Sequence, residues 1–256
     1  MKFGYQLFSA LSLCGDQAGM VSTMERLSQM GYDGVEFFSY AGIPAGEMKA
    51  LLKKLNLEGF NSHVQLERWE KDAEGEIRYA AEAGIPCVTI PWIPPEQRNA
   101  AGFGKIKAMV PELLRLCDQY GITLIYHNHH FEYDKTEAGE YILDDILAAD
   151  PRLGLELDTF WTYYAGVDPV AYMTAQRERM KLVHIKDYQS LKGGPVSGGM
   201  EMPTFCAVGT GKMDNYPIVD WAKANHIQWV CVEQDNSQIP ELEAAELSIR
   251  ALKAMA

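Results

Sequence analysis

Leu153-Gly154-Leu155-Glu156-Leu157-Asp158-Thr159-Phe160 is a short apolar run that stops at a carboxylate. A parallel strand buried on both faces reads as a nearly continuous apolar run, and its carboxyl end opens into a loop where α/β folds bind their ligands. Three other stretches have the same form, at 124–130, 182–188 and 229–235. Together the four runs end in His127, Asp158, His184 and Glu233, side chains able to hold a divalent cation. Four such ends meeting at one point would make a metal site.

Outward from this stretch, apolar runs alternate with helical periodicity along the whole chain. Strands are predicted at 3–8, 33–38, 57–63, 87–90, 123–127, 153–157, 182–185 and 229–232. Helices are predicted between and after them, at 19–30, 46–55, 67–83, 96–120, 137–149, 169–179, 216–225 and 239–254. Val21, Met24, Leu27 and Met30 fall on one face of the first helix, and Gly31 ends it. Eight strands and eight helices in one domain over residues 1–256 predict an α/β (β/α)₈ TIM barrel, whose active site lies at the carboxyl ends of the strands. A doubly wound open sheet is the rival, but no glycine-rich phosphate fingerprint follows the first strand. The segment 187–213 breaks the rhythm. Gly193, Gly194, Gly198, Gly199, Gly209 and Gly211 mark it as a long mobile loop over the strand ends.

Composition narrows the class. With 47% hydrophobic residues in 256, the chain can bury a sizeable core, and its formal net charge of −12 opposes the phosphate backbones of nucleic acids. Cys14, Cys87, Cys117, Cys206 and Cys231 are scattered and odd in number, which suits reduced thiols in a cytoplasmic protein. The start of the chain superficially resembles a lipoprotein signal, but Tyr5, Gln6, Ser9 and Ser12 interrupt the apolar run and Leu13 stands where a small residue should precede cleavage. No run reaches the 18 or so apolar residues of a membrane span. The expected partner is therefore a small molecule, with neither nucleic acid nor membrane involved, and a homo-oligomer is compatible with the fold.

His127, Asn128, His129 and His130 form the densest polar cluster and hold three of the six histidines. Alternate strand residues share a face, so His127 and His129 should point the same way, one holding a metal while the other handles a proton. Imidazole with two carboxylates suits Mn²⁺, Co²⁺, Fe²⁺ or Zn²⁺ better than Ca²⁺ or hydrated Mg²⁺, and manganese is the favoured ion. Gln6, Glu36, His63, Trp92, Trp161 and Lys186 also stand at strand ends. Gln6 and Glu36 are candidates for gripping a polyhydroxylated substrate, and Trp92 and Trp161 for walling its ring. For any one of these residues, a capping or packing role is the competing reading.

Tyr126-His127-Asn128-His129, Gly154-Leu155-Glu156-Leu157-Asp158-Thr159, His184-Ile185-Lys186-Asp187, Val208-Gly209-Thr210-Gly211 and Val232-Glu233-Gln234-Asp235 occur in an order that resembles the sugar phosphate isomerase/epimerase family of xylose-isomerase-like barrels. Gly4-Tyr5-Gln6-Leu7 and Gly34-Val35-Glu36 extend the similarity to the first two strands. The resemblance implies one divalent cation that binds two adjacent oxygens of a ketose and stabilises an enediolate after a proton leaves the neighbouring carbon. In the family's epimerases two metal-bound glutamates exchange protons on opposite substrate faces. Glu233 matches the second, His127 replaces the first, and Trp161 stands where a histidine is frequent.

The expectation is thus a metal-dependent isomerase, epimerase or lyase/hydratase acting on a keto sugar or related polyol. His127, Asp158, His184 and Glu233 bind the metal, Glu233 or His129 removes the proton, and His63 or Lys186 polarises oxygen. The alternatives are a catalytically silent sugar-binding or partner subunit and an AP-endonuclease-like repair enzyme, the latter opposed by the acidic charge. A phosphorylated substrate stays open, since Lys186, Arg98 and the glycine segment could meet an anion.

Overall fold

The computed structural model describes residues 1–197 and 200–256. Its centre is a closed barrel of eight parallel strands: β1 (Lys2–Gln6), β2 (Gly34–Phe37), β3 (Glu58–His63), β4 (Cys87–Ile90), β5 (Thr123–His127), β6 (Gly154–Asp158), β7 (Met180–Ile185) and β10 (Trp229–Val232). Neighbours in sequence are neighbours in the wall, and β1 closes the ring by pairing with both β2 and β10. Helices α1 (Gln17–Met30), α2 (Ala45–Leu55), α3 (Leu66–Ala83), α4 (Ala100–Tyr120), α5 (Ile142–Leu147), α6 (Thr159–Tyr164), α7 (Pro169–Ala175), α8 (Tyr216–Ala224) and α9 (Glu241–Met255) lie along the connections. Among the described residues no helix is long and apolar enough to cross a membrane.

Local chemistry sets the helix limits. Asp16 accepts a hydrogen bond from the Gly19 amide at the start of α1, and Gly31 ends the helix at φ 85°, a left-handed conformation that glycine adopts without a Cβ clash. Asn99 caps α4 in the same way, so that helix begins at Ala100 rather than at 96, after a 3₁₀ turn over Pro95–Gln97. The predicted helix at 137–149 shrinks to Ile142–Leu147 because residues 136–140 form a turn in which the Thr136 amide bonds the Glu140 carbonyl. A short helix absent from the sequence reading, α6, begins directly after Asp158, whose carboxylate caps it.

The segment read as a mobile loop is corrected by the structure. Strands β8 (Asp187–Ser197) and β9 (Met200–Cys206) pair antiparallel as a hairpin. Gly198 and Gly199, assigned to that loop, lie outside the described residues. Both faces of most of β8 are exposed, so no apolar alternation betrays it as a strand. The base of the hairpin is fixed by buried Asp187, whose carboxylate accepts from the amides of Tyr188 (2.8 Å), Met213 (2.9 Å), Gly209 (3.0 Å) and Gly211 (2.9 Å). Asp187→Ala is expected to destabilise the protein by about 2–3 kcal/mol, since it leaves several buried amides without their charged acceptor. Hydrogen exchange should then rise first across the hairpin and residues 207–213, and uniform protection would contradict this anchoring.

Inside the barrel the two-residue period of the strands stacks side chains in layers. Ile125, Leu182, Trp229 and Cys231 pack with Phe60 as an apolar floor, in which the Phe60 and Trp229 rings stack at 4.3 Å. Gly4 makes this floor possible: a Cβ there would lie 2.3 Å from the Phe60 ring. One step further along the same strands, the inward positions become polar. Leu182 gives way to His184, Ile125 to His127, and Cys231 to Glu233.

Candidate functional site

Two polar layers lie above the apolar floor, and His184 belongs to both. The upper group is His127, Asp158, His184 and Glu233; the lower is Glu36, His63, Glu156 and His184. In each group the donor atoms lie within 4.8 Å of one another. The four residues predicted as metal ligands from separate strand ends are therefore neighbours in space.

In the upper group, His127 Nδ1 lies 3.1 Å from the Pro91 carbonyl oxygen, so Nδ1 donates and Nε2 is the nitrogen turned to the carboxylates; burial opposes the ring's charge, but Asp158 foremost raises its pKa. That Nε2 stands 3.6 Å from Asp158 Oδ2 and 3.7 Å from Glu233 Oε2. Asp158 Oδ1 is occupied by the Trp161 amide at 2.9 Å, so Oδ2 alone is available. Among the described residues, His127 Nε2 and Asp158 Oδ2 are both buried without a hydrogen bond, the Lys186 ammonium lying 3.3 Å from Asp158 Oδ2. Separations near 3.6 Å are too long for hydrogen bonds yet suit two ligands of one ion bound at about 2.0–2.2 Å. Asn128 holds the strand ends together: its Oδ1 accepts from the Asp158 amide at 2.9 Å.

The lower group is joined by hydrogen bonds and ion pairs. His184 Nε2 contacts Glu36 Oε2 at 2.6 Å and Glu156 Oε1 at 3.0 Å, while its Nδ1 contacts Glu233 Oε2 at 2.9 Å. His63 Nε2 bonds Glu156 Oε2 at 2.7 Å. Asn61 donates to Glu36 Oε1 at 2.7 Å, and Gln6 to Glu36 Oε2 at 2.6 Å. Gln6 and Glu36 thus lie beneath the upper layer and do not line the cavity. Glu156 was missed as a site residue, although a lone carboxylate in the middle of an apolar strand is itself a signal.

Electrostatics follows from burial and pairing. Burial opposes the charge of His184, but Glu156, Glu36 and Glu233 outweigh it and raise its pKa well above the ordinary histidine value. Burial also raises Glu36, with Glu156 adding to the effect, whereas Glu156 is held well below the usual carboxylate range because His184 and His63 outweigh its desolvation. Lys186 is buried; its Nζ meets Glu233 Oε2 at 2.5 Å, Asp235 Oδ1 at 3.0 Å and Asp158 Oδ2 at 3.3 Å, and these carboxylates raise its pKa despite desolvation. Glu233 is correspondingly held low, desolvation being overcome by Lys186 and His184.

Above these layers opens a cavity of about 370 Å³. His63, His127, His129, Trp92, Trp161 and Glu233 line it, together with His130, Asp235 and several apolar side chains. His129 packs its ring parallel to Phe131 at 5.6 Å, and its Nδ1 is buried without a partner. Burial, then the neighbouring His127 and Lys186, push His129 well below the ordinary histidine range. Glu132 fixes the turn that carries it, accepting from the His129 amide and from the Tyr126 hydroxyl, each at 2.8 Å.

A family model described as the xylose isomerase-like TIM barrel matches residues 24–255. A comparison with curated protein sequences finds no match. Among solved structures, a sugar phosphate isomerase/epimerase from Parabacteroides distasonis is 24% identical, with 99% of this chain and 94% of that chain covered and a TM-score of 0.76. The probable 3-DHS dehydratase AsbF from Bacillus anthracis is 14% identical over 99% of each chain, with a TM-score of 0.77. An IolI protein with a binding zinc atom is 14% identical, covers 100% of this chain and 98% of that chain, and has a TM-score of 0.73. At these identities the likeness is one of fold.

Proposed function

The chain belongs to the xylose isomerase-like TIM barrel family, and from that premise we propose that it is a metal-dependent enzyme that moves a proton at the carbon beside the carbonyl of a keto sugar or related polyol. The outcome would be isomerisation, epimerisation or loss of water. The observation that carries this reading is the pair of buried atoms, His127 Nε2 and Asp158 Oδ2, that make no hydrogen bond among the described residues, the second with only the Lys186 ammonium at 3.3 Å, facing His184 and Glu233 at the foot of the cavity.

His127 Nε2, Asp158 Oδ2, His184 Nδ1 and a Glu233 oxygen would hold one divalent cation. The zinc in the IolI structure supports zinc beside manganese as the ion. When bound, the cation supplies Lewis acidity to the substrate's carbonyl oxygen. His129 takes the proton, because its ring lines the cavity and burial holds it neutral, whereas Glu233 is engaged by Lys186 and His184. Lys186 holds Glu233 in place. His63 stands at the junction of cavity and lower layer, positioned by Glu156, and would face a substrate oxygen. Trp92 and Trp161 wall the ring. Gln6 and Glu36 orient His184 through the lower layer instead of touching substrate.

Metal analysis of the purified protein, followed by a solvent-deuterium wash-in screen of keto sugars, tests the proposal. About one equivalent of divalent metal with deuterium entering beside the carbonyl is the expected result; neither metal nor exchange with any keto sugar would favour a silent binding subunit.

Cation affinity should also depend on pH with a defined sign. His184 is protonated when no metal is bound because its pKa is raised, so a cation at Nδ1 must displace a proton. Affinity should therefore rise by about tenfold per pH unit up to the raised pKa. Titration calorimetry in buffers of different ionisation heat would read the released proton, and affinity constant between pH 6 and 8 would contradict the assignment.

A further inference from the structure

Resting on the enzymatic reading above, we propose that the cavity takes an uncharged sugar joined to a second ring with a flat apolar face, and that it discriminates against sugar phosphates. Two of the three groups that could meet an anion, the glycine segment and Lys186, are already committed. The amides of Gly209 and Gly211 point to Asp187 Oδ2 and that of Met213 to Oδ1, so the glycine segment cradles an internal carboxylate where a phosphate would need to sit. Lys186 Nζ is surrounded by Glu233, Asp235 and Asp158.

Arg98 is the one Lys or Arg among the described residues lining the cavity. Its guanidinium lies 3.9 Å from the centre of the Phe131 ring, and its Nε donates to the Ile93 carbonyl at 2.9 Å. Glu233 and Asp235 line the same cavity, and both are paired with Lys186. A phosphate brought to the outer cavity would lose water with Arg98 as its one cationic side-chain partner, and that guanidinium is already stacked on Phe131.

What the cavity does offer divides by depth. The carbonyl and hydroxyl groups of one sugar ring match the polar foot of His63, His127 and Glu233. Farther out the wall is formed by Phe8 and Phe38, meeting edge to face at 5.7 Å, and by Met200 and Met202, brought over by the hairpin, together with the polar Gln65, Ser197 and Asn236. A lone monosaccharide seated at the foot leaves that wall wet. A second pyranose, through its C–H face, or an aromatic aglycone would cover it by stacking and apolar burial. Both present the same chemistry, a neutral flat ring in glycosidic linkage.

The test is equilibrium binding to the purified, metal-loaded protein, followed by tryptophan fluorescence and calorimetry, with glucose, glucose 6-phosphate, cellobiose and phenyl β-glucoside as probes. At least one two-ring probe is expected to bind tenfold or more tighter than both glucose and glucose 6-phosphate. Cellobiose in the lead would indicate a second sugar, and phenyl glucoside an aromatic aglycone. Phe38→Ala and Met202→Ala should each shrink that advantage at least threefold while leaving glucose affinity unchanged. A tighter glucose 6-phosphate, a two-ring advantage below tenfold, no binding by any probe, or an advantage untouched in both variants would overturn the proposal. None of the probes is a keto sugar, so the result does not depend on turnover or deuterium exchange, which test the enzymatic reading by themselves.

Discussion

Replacing His129 with asparagine is expected to lower solvent-deuterium exchange, and turnover with it, by about 10²–10⁴-fold while metal content stays at the wild-type level. The expectation follows from how the two basic candidates are held. Glu233 is bound by the Lys186 ammonium and by His184 Nδ1, which keep its carboxylate far down the pKa scale and its Oε2 occupied. His129 has a buried Nδ1 with no donor pointing at it, and its ring is fixed between Phe131, Trp161 and His127. Desolvation keeps that ring neutral at neutral pH, the state a proton acceptor requires. Glu233→Gln should behave differently: exchange falls because the cation is held less well, and measured metal affinity falls with it. The assignment fails if His129→Asn retains exchange, or if Glu233→Gln abolishes exchange with metal affinity intact, which would make Glu233 the base.

The strands were readable because parallel barrel strands are buried on both faces and so leave uninterrupted apolar runs. The runs at 153–157 and 229–232 show this directly. The upper polar group was readable for a related reason: Asp158, His184 and Glu233 each sit where an apolar run gives out. The lower layer was harder to see. A two-residue period puts Glu156 on the same face as Asp158, but how deep each lies depends on register between strands. His127 pairs with Glu156, while Asp158 pairs with His184 and His184 with Cys231, so the level of each side chain is set by the stagger of the ring. No single strand's sequence contains that stagger. The same limit explains Gln6 and Glu36, whose position on β1 and β2 suggested the cavity mouth and whose register places them beneath it. The hairpin was hidden for the opposite reason: with little of β8 buried, there was no apolar pattern to read.

Glu156→Gln tests whether the lower layer serves the upper one. Metal-bound imidazoles are held by a carboxylate or carbonyl on the opposite ring nitrogen, and loss of that partner costs about 10–100-fold in metal affinity. Glu156 and Glu36 stand on the Nε2 side of His184, which leaves Nδ1 turned toward Glu233 and the upper group. A glutamine keeps the shape, yet its amide nitrogen must face either His184 or His63, so one histidine loses its acceptor and the compensating negative charge. Cation affinity is accordingly expected to fall by about 10–100-fold, with a changed ¹⁵N signature for His184. Breaking a buried ion pair at one partner also costs about 3–5 kcal/mol in stability at neutral pH. The sign with pH follows from the depressed pKa of Glu156: its contribution is present above the unfolded carboxylate range and is lost as pH falls through the folded value. The difference in stability between wild type and variant should therefore shrink on acidification. Wild-type metal affinity in Glu156→Gln, together with lost stability, would restrict the lower layer to a role in folding and leave His184 oriented by Glu36 alone.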